Sequence, residues 1–130
     1  MTRARGKIVI GSLKGNTYGL GKDMVAAALK SAGFEVVDLG VNVSPEAFVV
    51  AVVKEKADVI AISISADETV PFLGTVNEIL RKRNLRDAVK VVIGGNAVSE
   101  KIRKDYGVDA YAIDALDCVK KIQALLTKVE

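Results

Sequence analysis

The stretch Lys7-Ile8-Val9-Ile10-Gly11-Ser12-Leu13-Lys14-Gly15-Asn16-Thr17-Tyr18-Gly19-Leu20-Gly21-Lys22 decides the fold. Lys7 to Ser12 is a short, continuous apolar run, which suits a strand covered on both faces. Leu20 to Ala32 carries helical periodicity, with Met24, Val25, Ala28 and Leu29 on one face and Gly33 as its stop. Between strand and helix, Gly11, Gly15, Gly19 and Gly21 permit unusual backbone angles and close approach of a ligand. The helix that follows offers free N–H groups to a polar ligand.

The same alternation repeats down the chain. Phe34–Leu39 is a second strand, and Ser44-Pro45-Glu46 starts a helix that runs to about Lys56. Asp58–Ser63 is a third strand, and Pro71 to about Arg83 a third helix. Val89–Ile93 is a fourth strand, ended by Gly94-Gly95. Ser99–Tyr106 is a short helix, Asp109–Ala112 a short fifth strand, and Ala115 to about Lys128 the closing helix. Successive β–α units predict an α/β fold in which helices flank a parallel sheet in three layers. The expected architecture is a flavodoxin-like, doubly wound, five-stranded sheet of order 2-1-3-4-5, read as one domain over residues 1–130. Ligands in such sheets sit beyond the carboxyl ends of the strands, at the switch point between the first and third. That places the loops after Ser12, Leu39, Ser63 and Ile93 at the expected site.

Composition narrows the chemistry. The chain has 130 residues, half of them apolar, and a formal charge of +3. Arg81, Lys82, Arg83 and Arg86 cluster where the third helix ends, and cations suit that end of the dipole. They read as a solvated helix end, and no nucleic-acid partner is expected. The lone cysteine, Cys118, excludes an internal disulfide and reads as a core thiol. No secretory leader or membrane-length apolar run is recognised, so the expected location is cytoplasmic. The chain contains no histidine. It therefore lacks the commonest metal ligand and general base, and no catalytic residue is assigned.

Several phosphate-loop templates fail on the glycine-rich loop. A P-loop ending in Gly21-Lys22 would need glycine where Asn16 stands, and Asp23 replaces its hydroxyl. The spacing of Gly15, Gly19 and Gly21 does not fit a dinucleotide fingerprint, although Asp38 would suit a ribose. A response-regulator receiver would need an acceptor Asp where the third strand ends in Ser63. Ser12 and Gly15-Asn16-Thr17 partly match a flavodoxin phosphate loop, which leaves FMN as an alternative ligand. The chain has no Trp, and no aromatic is evidently placed to stack on a flavin.

A further template fits better. Gly15-Asn16-Thr17-Tyr18-Gly19-Leu20-Gly21-Lys22 resembles the G-D-x-H-x-x-G-K motif of the cobalamin-binding domain family. Ser63-Ile64-Ser65 stands where that family has S-x-L, and Gly94-Gly95 at its double glycine. Similar correspondences at Gly33–Gly40, Ser44-Pro45-Glu46, Ala57-Asp58 and Val108–Ala112 extend the resemblance from about Lys7 to about Leu126. It implies a corrinoid whose nucleotide tail is buried in the switch-point crevice. Ser63, Gly94 and Gly95 would line the tail pocket, and Gly21 would start the helix over it. The wider cofactor-binding set is Gly15, Asn16, Thr17, Tyr18, Gly19, Leu20, Gly21, Ser63, Ser65, Thr69, Gly94, Gly95 and Asn96.

The motif is altered where it matters most. Asn16 replaces the Asp, and Tyr18 replaces the His that would be the lower cobalt ligand. A phenol with a pKa of about 10 is a poor neutral ligand at pH 7, so no metal-ligating residue is assigned. The expectation is a corrinoid held base-off without a protein ligand. Losing that ligand favours the four-coordinate reduced state that accepts methyl groups, so the corrinoid subunit of a methyl-transfer system is the first reading. The small subunit of an adenosylcobalamin-dependent mutase is an alternative. Both imply a catalytic partner, a methyltransferase or a mutase barrel, over the corrinoid's upper face. A degenerate, non-binding interaction or regulatory subunit also stays open, as does self-association. In bland readings of the same residues, the glycines form tight turns, Tyr18 packs a loop, Asp67-Glu68-Thr69 is a solvated loop, and Asp114 caps a helix.

Overall fold

A computed structural model describes residues 6–127. Strands β1 (Lys7–Ser12), β2 (Glu35–Asp38), β3 (Val59–Ser63), β4 (Lys90–Gly94) and β5 (Ala110–Tyr111) alternate with helices. The helices are α1 (Leu20–Ser31), α2 (Pro45–Glu55), α3 (Phe72–Lys82), α4 (Glu100–Tyr106) and α5 (Ala115–Leu126). The sheet order is β2-β1-β3-β4-β5, and every neighbouring pair is parallel. The expected doubly wound order is thus the observed one. The closing helix ends at Leu126, and Lys128 lies outside the described residues.

Strand alternation sends side chains to two unequal layers. One face presents Val9, Ile60, Ile62, Val91 and Ile93 to Phe48, Val49 and Val52 of α2 and to Leu73, Val76 and Leu80 of α3. The other face presents Ile8, Ile10, Val59, Ala61, Val92 and Ala110 to Ala26 and Leu29 of α1 and to Cys118, Val119 and Ile122 of α5. Large β-branched residues fill the first layer. The second carries alanine in the middle of its central strand.

Local signals act where their chemistry predicts. Ser44 caps α2 by accepting from Ala47 N–H, and Pro45 opens the helix. Ser99 and Asp114 cap α4 and α5 by accepting from Ile102 N–H and Asp117 N–H. Arg86 ties the end of the α3–β4 loop to the Val89 and Gly107 carbonyls and pairs with Asp109 at 3.1 Å.

One expectation about α1 is corrected. Met24 does not face the core but is 58% exposed, whereas Lys22 is buried at 4% exposure. The inward stripe is Lys22, Ala26 and Leu29, at i, i+4 and i+7. A lysine tolerates this position because its ammonium meets two carboxylates, Asp38 and Asp23, at the end of its stem.

Candidate functional site

The weaker packing of the second layer opens at its carboxyl end into a crevice of about 240 Å³. Its sheet wall is Ile10, Ala61, Ser63 and Val92; α1 contributes Gly21 and Val25, and α5 contributes Cys118. Larger residues at Ala61, Ala112 and Cys118 would fill it. Two of the lining residues, Met24 and Ile113, are exposed at the mouth. The crevice therefore runs from solvent, between α1 and α5, down to the sheet. For scale, an apolar cavity of about 150 Å³ already holds benzene.

Glycines shape this crevice in two different ways. Gly95 has φ +116°, and a Cβ there would lie 2.2 Å from the Ile64 carbonyl oxygen. Only glycine lets the turn after β4 pass so close to β3. Gly21 is unlike it, since a Cβ at Gly21 would meet no atom within 4 Å. Its missing side chain leaves space that belongs to the crevice, a cradle a methyl group would begin to fill.

The lining is chemically plain. Apart from the thiol of Cys118, Ser63 supplies its only neutral polar side chain. Burial, helped by the charge of Asp117, pushes the Cys118 thiol up to about 12, so it stays protonated at neutral pH. Lys22 touches the crevice, but its ammonium is held by Asp38 at 2.7 and 2.8 Å and by Asp23 at 2.7 Å. Burial favours neutral Asp38. The hydrogen bonds from Lys22 and Gly40 N–H, with the Lys22 charge, outweigh that and hold its carboxyl below the usual range. The same pairing raises Lys22 against the opposing effect of its burial.

The first loop is built around Asn16, which is 3% exposed. Its Oδ1 accepts from Ser65 N–H at 2.7 Å, Ala66 N–H at 2.8 Å and the Ser65 hydroxyl at 3.2 Å. Its Nδ2 donates to the Leu13 carbonyl at 2.8 Å and to Thr69 Oγ1 at 2.9 Å. Two N–H donors on one side and a carbonyl on the other set the orientation of the amide. Asn42 completes the junction by accepting from Gly15 N–H at 2.8 Å through Oδ1. The loop after Leu39 thus braces the first loop and does not line the crevice.

The expected site residues therefore separate into groups. Gly21, Ser63, Gly94 and Gly95 line the crevice. Asn16, Ser65 and Thr69 form the loop junction, where Thr69 is buried and donates to the Ala66 carbonyl. Gly15, at φ +92°, passes so close to Thr69 that a Cβ would lie 2.4 Å from its methyl. Thr17, Tyr18, Gly19 and Leu20 connect junction to helix, and Tyr18 is 65% exposed. Asn96 is exposed and is not part of the lining. Asp67–Thr69 is a 3₁₀ turn and not an open loop.

Most of the lining was not anticipated from the sequence: Ile10, Val25, Ala61, Val92, Ala112 and Cys118. The usable signal was the alanine at position 61 inside an otherwise large-residue strand. No aromatic side chain lines the crevice, so it offers nothing for a flavin ring to stack on.

The tail part of the corrinoid expectation fits this geometry: an open, apolar recess lies where a nucleotide arm would enter. The Asp and His of the family motif have no counterpart, since Asn16 and Tyr18 stand in their places. Among the described residues no group of His, Cys, Asp and Glu is placed to hold a metal. Asn16 turns its amide toward Leu13 and Thr69, leaving no carboxylate to orient a ligand at position 18.

A family model described as the B12 binding domain matches residues 6–119. The chain is 37% identical over 125 residues to trimethylamine corrinoid protein 1 of Methanosarcina acetivorans, covering 96% of this chain and 58% of that protein. It is 38% identical over 121 residues to dimethylamine corrinoid protein 3 of Methanosarcina mazei, covering 93% and 72%. Among solved structures, the monomethylamine corrinoid protein of Methanosarcina barkeri superposes with a TM-score of 0.89 at 28% identity, over 93% of this chain and 58% of that one. The chain spans little more than half the length of most of these relatives. A receiver domain of a Mycobacterium tuberculosis response regulator superposes at 0.70 with 14% identity, which is a likeness of fold alone.

Proposed function

This chain belongs to the B12-binding domain family, and on that premise we propose that it holds a corrinoid base-off, by its nucleotide tail, with no nitrogen ligand from the protein. The observation that carries this reading is the coexistence of an open tail crevice with an absent histidine. A crevice plugged by bulky side chains would speak for a degenerate domain. Here Ala61, Ala112, Gly21 and Cys118 keep it open. Ser63, Gly94 and Gly95 would border the tail, while the Asn16 junction fixes the two loops beside the lower face.

When bound, the corrinoid would supply a cobalt centre able to carry a methyl group. The chain's own part is to bind, orient and exclude water. Its partner would be a methyltransferase subunit, as the corrinoid-protein names of the relatives suggest. The likeness to a chain of the methanol:cobalamin methyltransferase complex of Methanosarcina barkeri, with a TM-score of 0.91 at 26% identity, supports the same partner. Tyr18, Leu20, Met24, Ile113 and Leu116 are large apolar side chains exposed on the loops and helix starts around the mouth. Such a rim suits burial beneath a flat macrocycle and its partner.

The test is reconstitution. Purified chain is mixed with hydroxocobalamin, desalted, and its visible spectrum recorded, with cobinamide, which lacks the tail, in parallel. Retention of a base-off spectrum with cobalamin and loss of cobinamide is the expected result. Equal retention of both, or of neither, would reject the reading.

A further inference from the structure

We propose that the crevice selects among corrinoids by tail base, accepting a benzimidazole or similarly apolar aromatic base and discriminating against a purine. This rests on the corrinoid reading above and adds the chemical class of the tail. The lining is nearly devoid of free polar side chains. The buried wall is made by Ile10, Ala61, Val92, Ala112 and Cys118, and only the Ser63 hydroxyl offers an ordinary neutral hydrogen-bonding side chain.

The two charged side chains on the lining are already engaged or lie at its mouth. Lys22 is held by Asp23 and Asp38. Asp114 is exposed and accepts from Asp117 N–H as the α5 cap.

A ribose-linked benzimidazole keeps one free ring nitrogen, and one serine hydroxyl can satisfy it. A purine keeps three free ring nitrogens, and adenine adds an exocyclic amine with two donors. Against this wall most of those groups would lose water and gain no partner. An unpaired polar group buried in a protein costs about 1–3 kcal/mol, roughly tenfold or more in affinity. Discrimination of this kind is stronger than that from shape alone, because it leaves polar groups orphaned. The Cys118 thiol, a weak donor, does not replace an amide or hydroxyl.

The test is a titration of the purified chain with three corrinoids: a benzimidazole cobamide, its adenine counterpart, and cobinamide. All are used in the dicyano form, so that no tail base starts out bound to cobalt. The expected order is benzimidazole tighter than adenine by about tenfold or more, and both tighter than cobinamide. Equal affinity for the two tailed forms, with cobinamide weaker, would overturn the selectivity and leave the corrinoid reading standing. Cobinamide binding as tightly as the tailed forms, or no binding of any, would overturn both.

Discussion

Asn16 Nδ2 donates to Thr69 Oγ1 at 2.9 Å across a sequence separation of 53 residues, tying the loop after β1 to the turn after β3. The same amide accepts from two backbone N–H groups and donates to the Leu13 carbonyl. Position 16 is therefore a structural hub that uses both ends of a carboxamide. An Asp can reproduce only its accepting half.

Asn16→Asp tests that statement. The substituted carboxylate would keep the Ser65 and Ala66 N–H bonds but turn its second oxygen toward the Leu13 carbonyl. The expected loss is about 1–3 kcal/mol at pH 7, read from urea unfolding. Unfolding midpoints equal to those of the parent would show that the two donated bonds contribute nothing.

Gly95→Ala and Gly21→Ala should part company. The first forces a Cβ to within 2.2 Å of the Ile64 carbonyl at φ +116°, and is expected to cost more than about 2 kcal/mol. The second places its methyl in open crevice and replaces glycine within α1. It should stabilise the chain by up to about 1 kcal/mol. It should also weaken corrinoid retention. Thermal melts and the desalting assay together read both effects.

Ala61→Leu fills the recess from the sheet. Extra methylenes usually cost about 1–3 kcal/mol in a packed core. Here they enter a space of about 240 Å³. The melting temperature should hold or rise while cobalamin retention is lost. A large drop in stability with retention preserved would show that Ala61 is packed and not a wall of the crevice.

Asp38→Asn removes the main partner of buried Lys22. Asp38 is about one-third exposed, so the effect should fall below the ~3–5 kcal/mol of a fully buried pair, near ~1–2 kcal/mol. The sign of its pH dependence follows from the shifts. The folded-state pKa of Asp38 lies below its ordinary value, so its contribution is full above that value and is lost as pH falls through the depressed one. Lys22 is raised, so its share is full below its ordinary pKa and fades as pH climbs through the higher folded value. The variant and parent should converge at strongly acid pH in urea titrations.

Fold and site were legible to different degrees. The sheet order could be read because five short apolar runs, each followed by a longer helical segment, leave few other topologies. Four residues of the site, Gly21, Ser63, Gly94 and Gly95, were legible through the resemblance to the cobalamin-binding family. The walls were not, because Ile10, Val92 and Cys118 are ordinary core residues until the sheet and two helices bring them together. Met24, expected on the inward face, is exposed, and Lys22 is buried instead because its ion pair with Asp38 outweighs the bare apolar pattern. The role of Asn16 was hidden for a similar reason: its partners at Ser65, Ala66 and Thr69 are distant in sequence.

The central claim is that the tail crevice holds the cofactor and the protein gives cobalt no nitrogen ligand. The most direct measurement is the paramagnetic resonance spectrum of the chain reconstituted with cobalamin and reduced to cobalt(II). The account predicts a retained corrinoid whose high-field lines show no three-line splitting from an axial nitrogen. A bound species with that splitting would contradict it.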